Sequence, residues 1–196
     1  MRDGRVALQN TIKLVAILNI AYFIIEFTVA TRIGSVSLFA DSIDFLEDAA
    51  VNFLILVALG WSALWRGRVG RLLAGLLLVP GLATLWSIWE KFSLPVPPAP
   101  LPLSLTGAGA LVVNLICALM LTRYRHHEGS LTRAAFLSAR NDVAANVAIV
   151  GAGFVTAWLV SAWPDIVVGL AIALMNAGAA KEVYEAAQKE SLSARP

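Results

Sequence analysis

Residues 34–61 read GSVSLFADSIDFLEDAAVNFLILVALGW, and this stretch decides the fold. It is apolar at both ends, yet Asp41, Asp44, Glu47 and Asp48 crowd into its middle. Residues four apart on an α-helix differ by about 40° in direction, so Asp44 and Asp48 point the same way. Asp41 and Glu47 lie about 60° to either side of Asp44, which confines the acids to roughly a third of the circumference. An acid near the centre of a membrane helix costs about 2.5–3.5 kcal/mol on insertion scales. The acidic face is therefore excluded from lipid. Each acid must be protonated, paired with a base, or matched to a cation inside a bundle.

The rest of the chain supplies that bundle. Of its 196 residues, 59% are hydrophobic and only 14% charged, and the mean hydropathy is +0.76, the composition of an integral membrane protein. The net charge of +2, carried by scattered basic residues, gives no footprint for nucleic acid. Cys117 is the single cysteine, so neither a disulfide framework nor a cysteine-based zinc site is available. It is best read as a small apolar packing residue. The first apolar run contains Glu26 and is followed by others, which argues against a cleaved signal peptide.

A crossing needs about 20 apolar residues, and six such runs are predicted, near 9–31, 38–64, 72–90, 103–122, 133–159 and 165–186. The breaks between them, TRIGS, WRGRVGR, LPVPPAPLP, RYRHHEGSLTR and SAWPD, are short, turn-rich or charged. The predicted architecture is an all-α membrane protein of six transmembrane helices. Residues 1–190 form one domain, with 191–196 a short cytoplasmic tail.

Arg2, Arg5, Arg66, Arg68, Arg71, Arg123, Arg125, Arg133, Lys181, Lys189 and Arg195 fall on the side that holds the N-terminus, against Arg32 and Lys91 on the other. Positively charged loops stay in the cytoplasm, so both termini are predicted inside, in the cytoplasmic (inner) membrane. Trp86, Trp89 and Trp163 suit an aromatic belt at the opposite interface.

Arg140, in the fifth run, is the one base well inside a crossing and cannot neutralise the four acids and Asp142 together. Asp41, near the start of its run, could instead cap the helix or face water. Glu47 could point into a vestibule, and Glu26 could relay protons, pair with Arg140 or face the outer vestibule. The fifth run also echoes the second: DAAVN at 48–52 and DVAAN at 142–146 each place Asn four residues after Asp in a small-residue helix. The two runs cross in opposite directions, as in inverted-repeat transporters. Asn19, Asn52, Asn114 and Asn146 either line the pathway or make interhelical hydrogen bonds.

GSVSLFADSIDFLED, preceded by Asn19 and Glu26 and followed by Asp142 and Asn146, resembles the cation diffusion facilitator family of divalent-metal transporters. The resemblance extends over all six runs, through LVVNLICALMLTR with Asn114 and WPDIVVGLAIAL. Gly34, Ser35, Ala40, Asp41, Ser42, Asp44 and Asp48 fill the family's second-crossing pattern in register. The resemblance implies a metal site of Asp44, Asp48 and Asp142, with Ser138 standing where the family has a His. Asp41, Glu47, Asn141, Asn146, Asn52, Asn19 and Glu26 are the expected pathway or supporting residues. The loss of imidazole leans the set toward harder cations. Zinc remains the first expectation, with manganese, iron, cobalt or cadmium as alternatives and no cofactor beyond the transported metal.

The loop WSALWRGRVGRLL lacks the His and Asp of the family's accessory metal site, and His126 and His127 read as a solvated loop. The family's soluble C-terminal metal-sensing domain is not expected, so a homodimer would be held by membrane helices. Clustered acids favour protonation when empty and ionisation when a divalent cation binds, so protons are the expected coupling ion. The resemblance implies an outward antiport by alternating access. Two other readings stand beside it: a non-transporting membrane scaffold of the same fold, and an intramembrane aspartyl enzyme.

Overall fold

In a computed structural model of the chain, residues 2–58, 82, 84–122, 129–175, 181 and 185 are described. They form α1 (Arg2–Ile33), α2 (Val36–Ala58), α3 (84–93), α4 (Pro100–Thr122), α5 (Gly129–Leu159) and α6 (Trp163–Met175). No strand occurs among the described residues. The expected crossings at 9–31, 103–122 and 133–159 correspond to α1, α4 and α5, with α1 and α5 starting earlier because their polar first turns remain helical. Most of the 72–90 run, and the ends of the 38–64 and 165–186 runs, lie outside the described residues.

The packing is inverted with respect to a water-soluble domain. Ile17, Ile24, Phe53, Leu119, Phe154 and Trp158 are exposed, whereas Asn19, Glu26, Asp41, Asn52, Asn114, Asp142, Asn146 and Asp165 are buried. This is how a bundle meets a bilayer, with apolar side chains outward and polar groups enclosed. Three described helical segments, Val6–Ile33, Pro100–Thr122 and Asp142–Leu159, are long and apolar enough to cross a membrane. α2 matches them in length, with 23 residues, but carries four acids. The described α6 is a shorter apolar helix.

α1 packs on α2 and α4 on α5, while α1 also touches α4 and α2 touches α5. Ala30, Leu38, Leu103, Ala145, Ile149 and Ile172 form a buried core drawn from α1, α2, α4, α5 and α6. α1 ends because Gly34 adopts a left-handed φ of 64°, which lets the Ser35 amide donate to the Ala30 carbonyl at 3.0 Å. Ser35 then caps α2, its Oγ accepting from the Leu38 amide at 3.2 Å. The tight reversal sets α1 and α2 antiparallel. The start of α6 returns to the start of α2, where Ile166 packs with Val36 and Ile88. α5 therefore finishes at the end where α2 begins, and the two helices run in opposite directions.

Candidate cation site

The acids of α2 face inward. Asp41 is fully buried and Glu47 nearly so, while Asp44 and Asp48 are partly enclosed. Across the seam, Asp142 of α5 is also buried. It lies within electrostatic reach of Asp44, Asp48, Asp41 and Glu47, with its carboxyl nearest that of Asp48. The structure thus gathers Asp44, Asp48 and Asp142 in one region between α2 and α5. Among the described residues, however, no group of three His, Cys, Asp or Glu side chains is drawn together closely enough to hold a metal ion.

The echo between 48–52 and 142–146 is geometrical as well as verbal. Asn52 Nδ2 donates to the Asp48 carbonyl at 2.7 Å, and Asn146 Nδ2 donates to the Asp142 carbonyl at 2.8 Å. Each amide thereby gives one N–H to its own helix. The remaining oxygens, Asn52 Oδ1 and Asn146 Oδ1, are buried without a hydrogen-bond partner. Two antiparallel helices therefore present the same unit, a carboxylate with an unsatisfied amide oxygen one turn further on.

A second group sits nearer the end where α1 meets α2. Glu26 of α1 and Asp41 of α2 are both fully buried, and their carboxyls approach each other. None of their four carboxyl oxygens makes a well-formed hydrogen bond. The alternatives that Asp41 caps its helix or faces water, and that Glu26 faces an outer vestibule, do not hold. Ser35 holds the cap, and α1, α2 and α5 enclose both acids. Glu47, expected in a vestibule, is largely buried too. Asn19 is buried with its Nδ2 unpartnered, and Cys117 Sγ is 3.7 Å from its Oδ1.

Ser138 and Asn141 lie on α5, but their side chains, like that of Arg140, fall outside those described. His126 and His127 also lie outside the described residues.

Sequence reasoning missed a cluster at the start of α2. Asp165, the acid of the WPD turn, is fully buried and accepts from Ser35 Oγ at 2.6 Å, Ser37 Oγ at 2.6 Å, the Val36 amide at 2.9 Å and the Ser37 amide at 3.1 Å. Lys91 Nζ of α3 completes the set at 3.3 Å and also donates to the Gly34 carbonyl. An anion at a helix N-terminus meets free amides and the positive end of the helix dipole. The signal was available: Lys91 is one of only two cations assigned to its side, and Asp165 opens the last run beside the same interface.

The model of the cation efflux transmembrane domain matches residues 67–187, more than half of the chain. The match takes in Asp142, Asn146 and Asp165 and begins after α2. No curated relative matches the chain.

Proposed function

The chain belongs to the cation diffusion facilitator family, whose members are transporters and not enzymes, and we propose that it moves a divalent metal cation out of the cytoplasm in exchange for protons. The observation that carries this reading is the convergence of Asp44 and Asp48 of α2 on Asp142 of α5, in a bundle whose outer surface is apolar. Carboxylates enclosed between lipid-facing helices call for positive charge, and a divalent cation with its displaced protons provides it in exchangeable form.

In this reading Asp44, Asp48 and Asp142 hold the ion, with the Ser138 hydroxyl or water as a fourth donor. Oxygen ligands admit manganese, iron, cobalt or cadmium, and zinc heads the order because it binds carboxylates well. Asn52 and Asn146, with Asn19 and Asn141, line the path. Six crossings with both termini inside, in the cytoplasmic membrane, put Asp48 and Asp142 near its middle, and two copies pair through their membrane helices. The matching Asp48–Asn52 and Asp142–Asn146 units support alternating access, since antiparallel equivalents can exchange roles as the bundle rocks.

The test is metal-selective transport in proteoliposomes under an imposed pH gradient. Asp48→Ala is expected to abolish flux, and Ser138→His to shift preference toward zinc. Undiminished flux in Asp48→Ala would remove the assigned site. Absence of both flux and binding in the native chain would favour the scaffold reading.

A further inference from the structure

Glu26 of α1, Asp41 of α2 and Asn146 of α5 are each fully buried. Together they offer five oxygens without a hydrogen-bond partner: both of Glu26, both of Asp41 and Oδ1 of Asn146. Among the described residues few donors lie nearby. Tyr22, which faces both acids, donates its hydroxyl to the Thr106 carbonyl at 2.7 Å. The Asn146 amide faces the Asp41 carboxylate and gives one of its two N–H groups to the Asp142 carbonyl. Among the described residues the ion pairs are Lys91 with Asp165 and Lys181 with Glu185, so no Lys or Arg among them compensates either acid. Five buried acceptors with no well-formed hydrogen bond and so few donors are incomplete as they stand.

Position says what would complete it. Asp41 precedes Asp48 by seven residues, a rise of about 10 Å along α2. Asn146 follows Asp142 by four residues, about 6 Å along the antiparallel α5. Both displacements run toward the end where α1 meets α2, so Asp41 and Asn146, with Glu26 beside Asp41, lie about 6–10 Å above Asp48 and Asp142 along the helices. The opposite level differs in kind: there Asn52 and Asn19 supply amides in place of carboxylates.

Resting on the transport reading above, we infer that Glu26, Asp41 and Asn146 form a second cation station, which receives the divalent ion on its way from Asp44, Asp48 and Asp142 to the outer face. Two carboxylates and an amide oxygen make a hard-oxygen donor set whose charge matches a divalent ion. The stations are close enough for their charges to interact, Glu26 with Asp44 and Asp41 with Asp48. An ion arriving at the deeper station therefore repels one ahead of it. Such repulsion between neighbouring sites lets each bind its ion and still release it. Among the described residues the level of Asn52 and Asn19 carries amides and no carboxylate, an asymmetry that fits outward passage.

The experiment counts Mn2+ bound by the purified full chain in detergent, from the electron paramagnetic resonance signal of free Mn2+. The native chain is expected to bind two ions, Glu26→Gln and Asp48→Ala one each, and the double variant none. Asp41→Asn serves as a second variant of the same station. One ion per native chain overturns the inference without recourse to any variant. Two ions retained in both Glu26→Gln and Asp41→Asn overturn it as well, and leave the deeper site standing. Two ions retained in Asp48→Ala but one in Glu26→Gln would sink the deeper site alone. If Glu26→Gln instead removes the infrared band of a neutral carboxylic acid and leaves the Mn2+ count unchanged, the pair holds protons and the inference fails.

Discussion

Asp165 and Asp41 are both fully buried aspartates packed against α2 or within it, and they are opposites in every other respect. Asp165 accepts from two hydroxyls and two amides and pairs with Lys91. Asp41 faces another acid, and neither of its oxygens is satisfied. A buried charge is tolerated when its partners replace water, and Asp165 has them in number. Asp41 has none of good geometry. The contrast separates an acid that fastens α3 and α6 to the start of α2 from acids enclosed without such partners. It also places the fixed part of the bundle beside the open part, within about two helical turns along α2.

The comparison breaks first at its satisfied end. Asp165→Ala strips the α2 amides and serines of their acceptor and leaves Lys91 buried without its counter-charge, a loss of about 3–5 kcal/mol. Thermal unfolding in detergent should show a large fall in Tm, and an unchanged Tm would mean the cluster holds nothing together. Gly169→Ala probes the same joint by size. A Cβ there would lie 2.6 Å from Val36 Cγ1 and 2.9 Å from backbone atoms of Val36 and Ser37, so overpacking of about 1–3 kcal/mol is expected. At Gly151 an added Cβ meets nothing within 4 Å. Gly151→Ala should leave Tm unchanged or slightly raised, and similar losses at both glycines would show that close approach is not the cause.

The difference between the two regions also explains what the sequence revealed. Membrane helices were legible because a bilayer imposes a length and a composition on α1, α4 and α5. The inward turn of Asp44, Asp48 and Asp142 was legible because a carboxylate among apolar residues has few places to go. The matched Asp–Asn units were visible as spelling, although only the folded chain shows both asparagines donating back to their own helices. The Asp165 cluster was hidden because it depends on a contact across 130 positions of chain between Ser35 and Asp165, which no local period encodes. The alternative that Asp41 caps its helix fails for a related reason: proximity to a helix start suggests a cap, but Ser35 and the distant Asp165 fill that role.

The smallest expected effect is the most discriminating. Asp41→Asn removes no hydrogen bond, since the carboxyl makes none of good geometry, and it replaces an uncompensated acid with a neutral group of the same shape. Burying an amide without its full set of partners still has a cost, but that cost is comparable to or below the cost of enclosing an unpaired acid. In metal-free detergent the Tm should therefore shift by no more than the equivalent of about 1 kcal/mol, and upward if it shifts. Glu26 would gain a donor in the amide introduced at position 41, which adds to the upward direction. Transport in the same variant should fall sharply, because the outer station has lost a charge. Stability held while flux is lost would mark Asp41 as an acid kept for cargo. A fall in Tm approaching that of Asp165→Ala would instead make Asp41 a second structural aspartate and erase the distinction between the two regions.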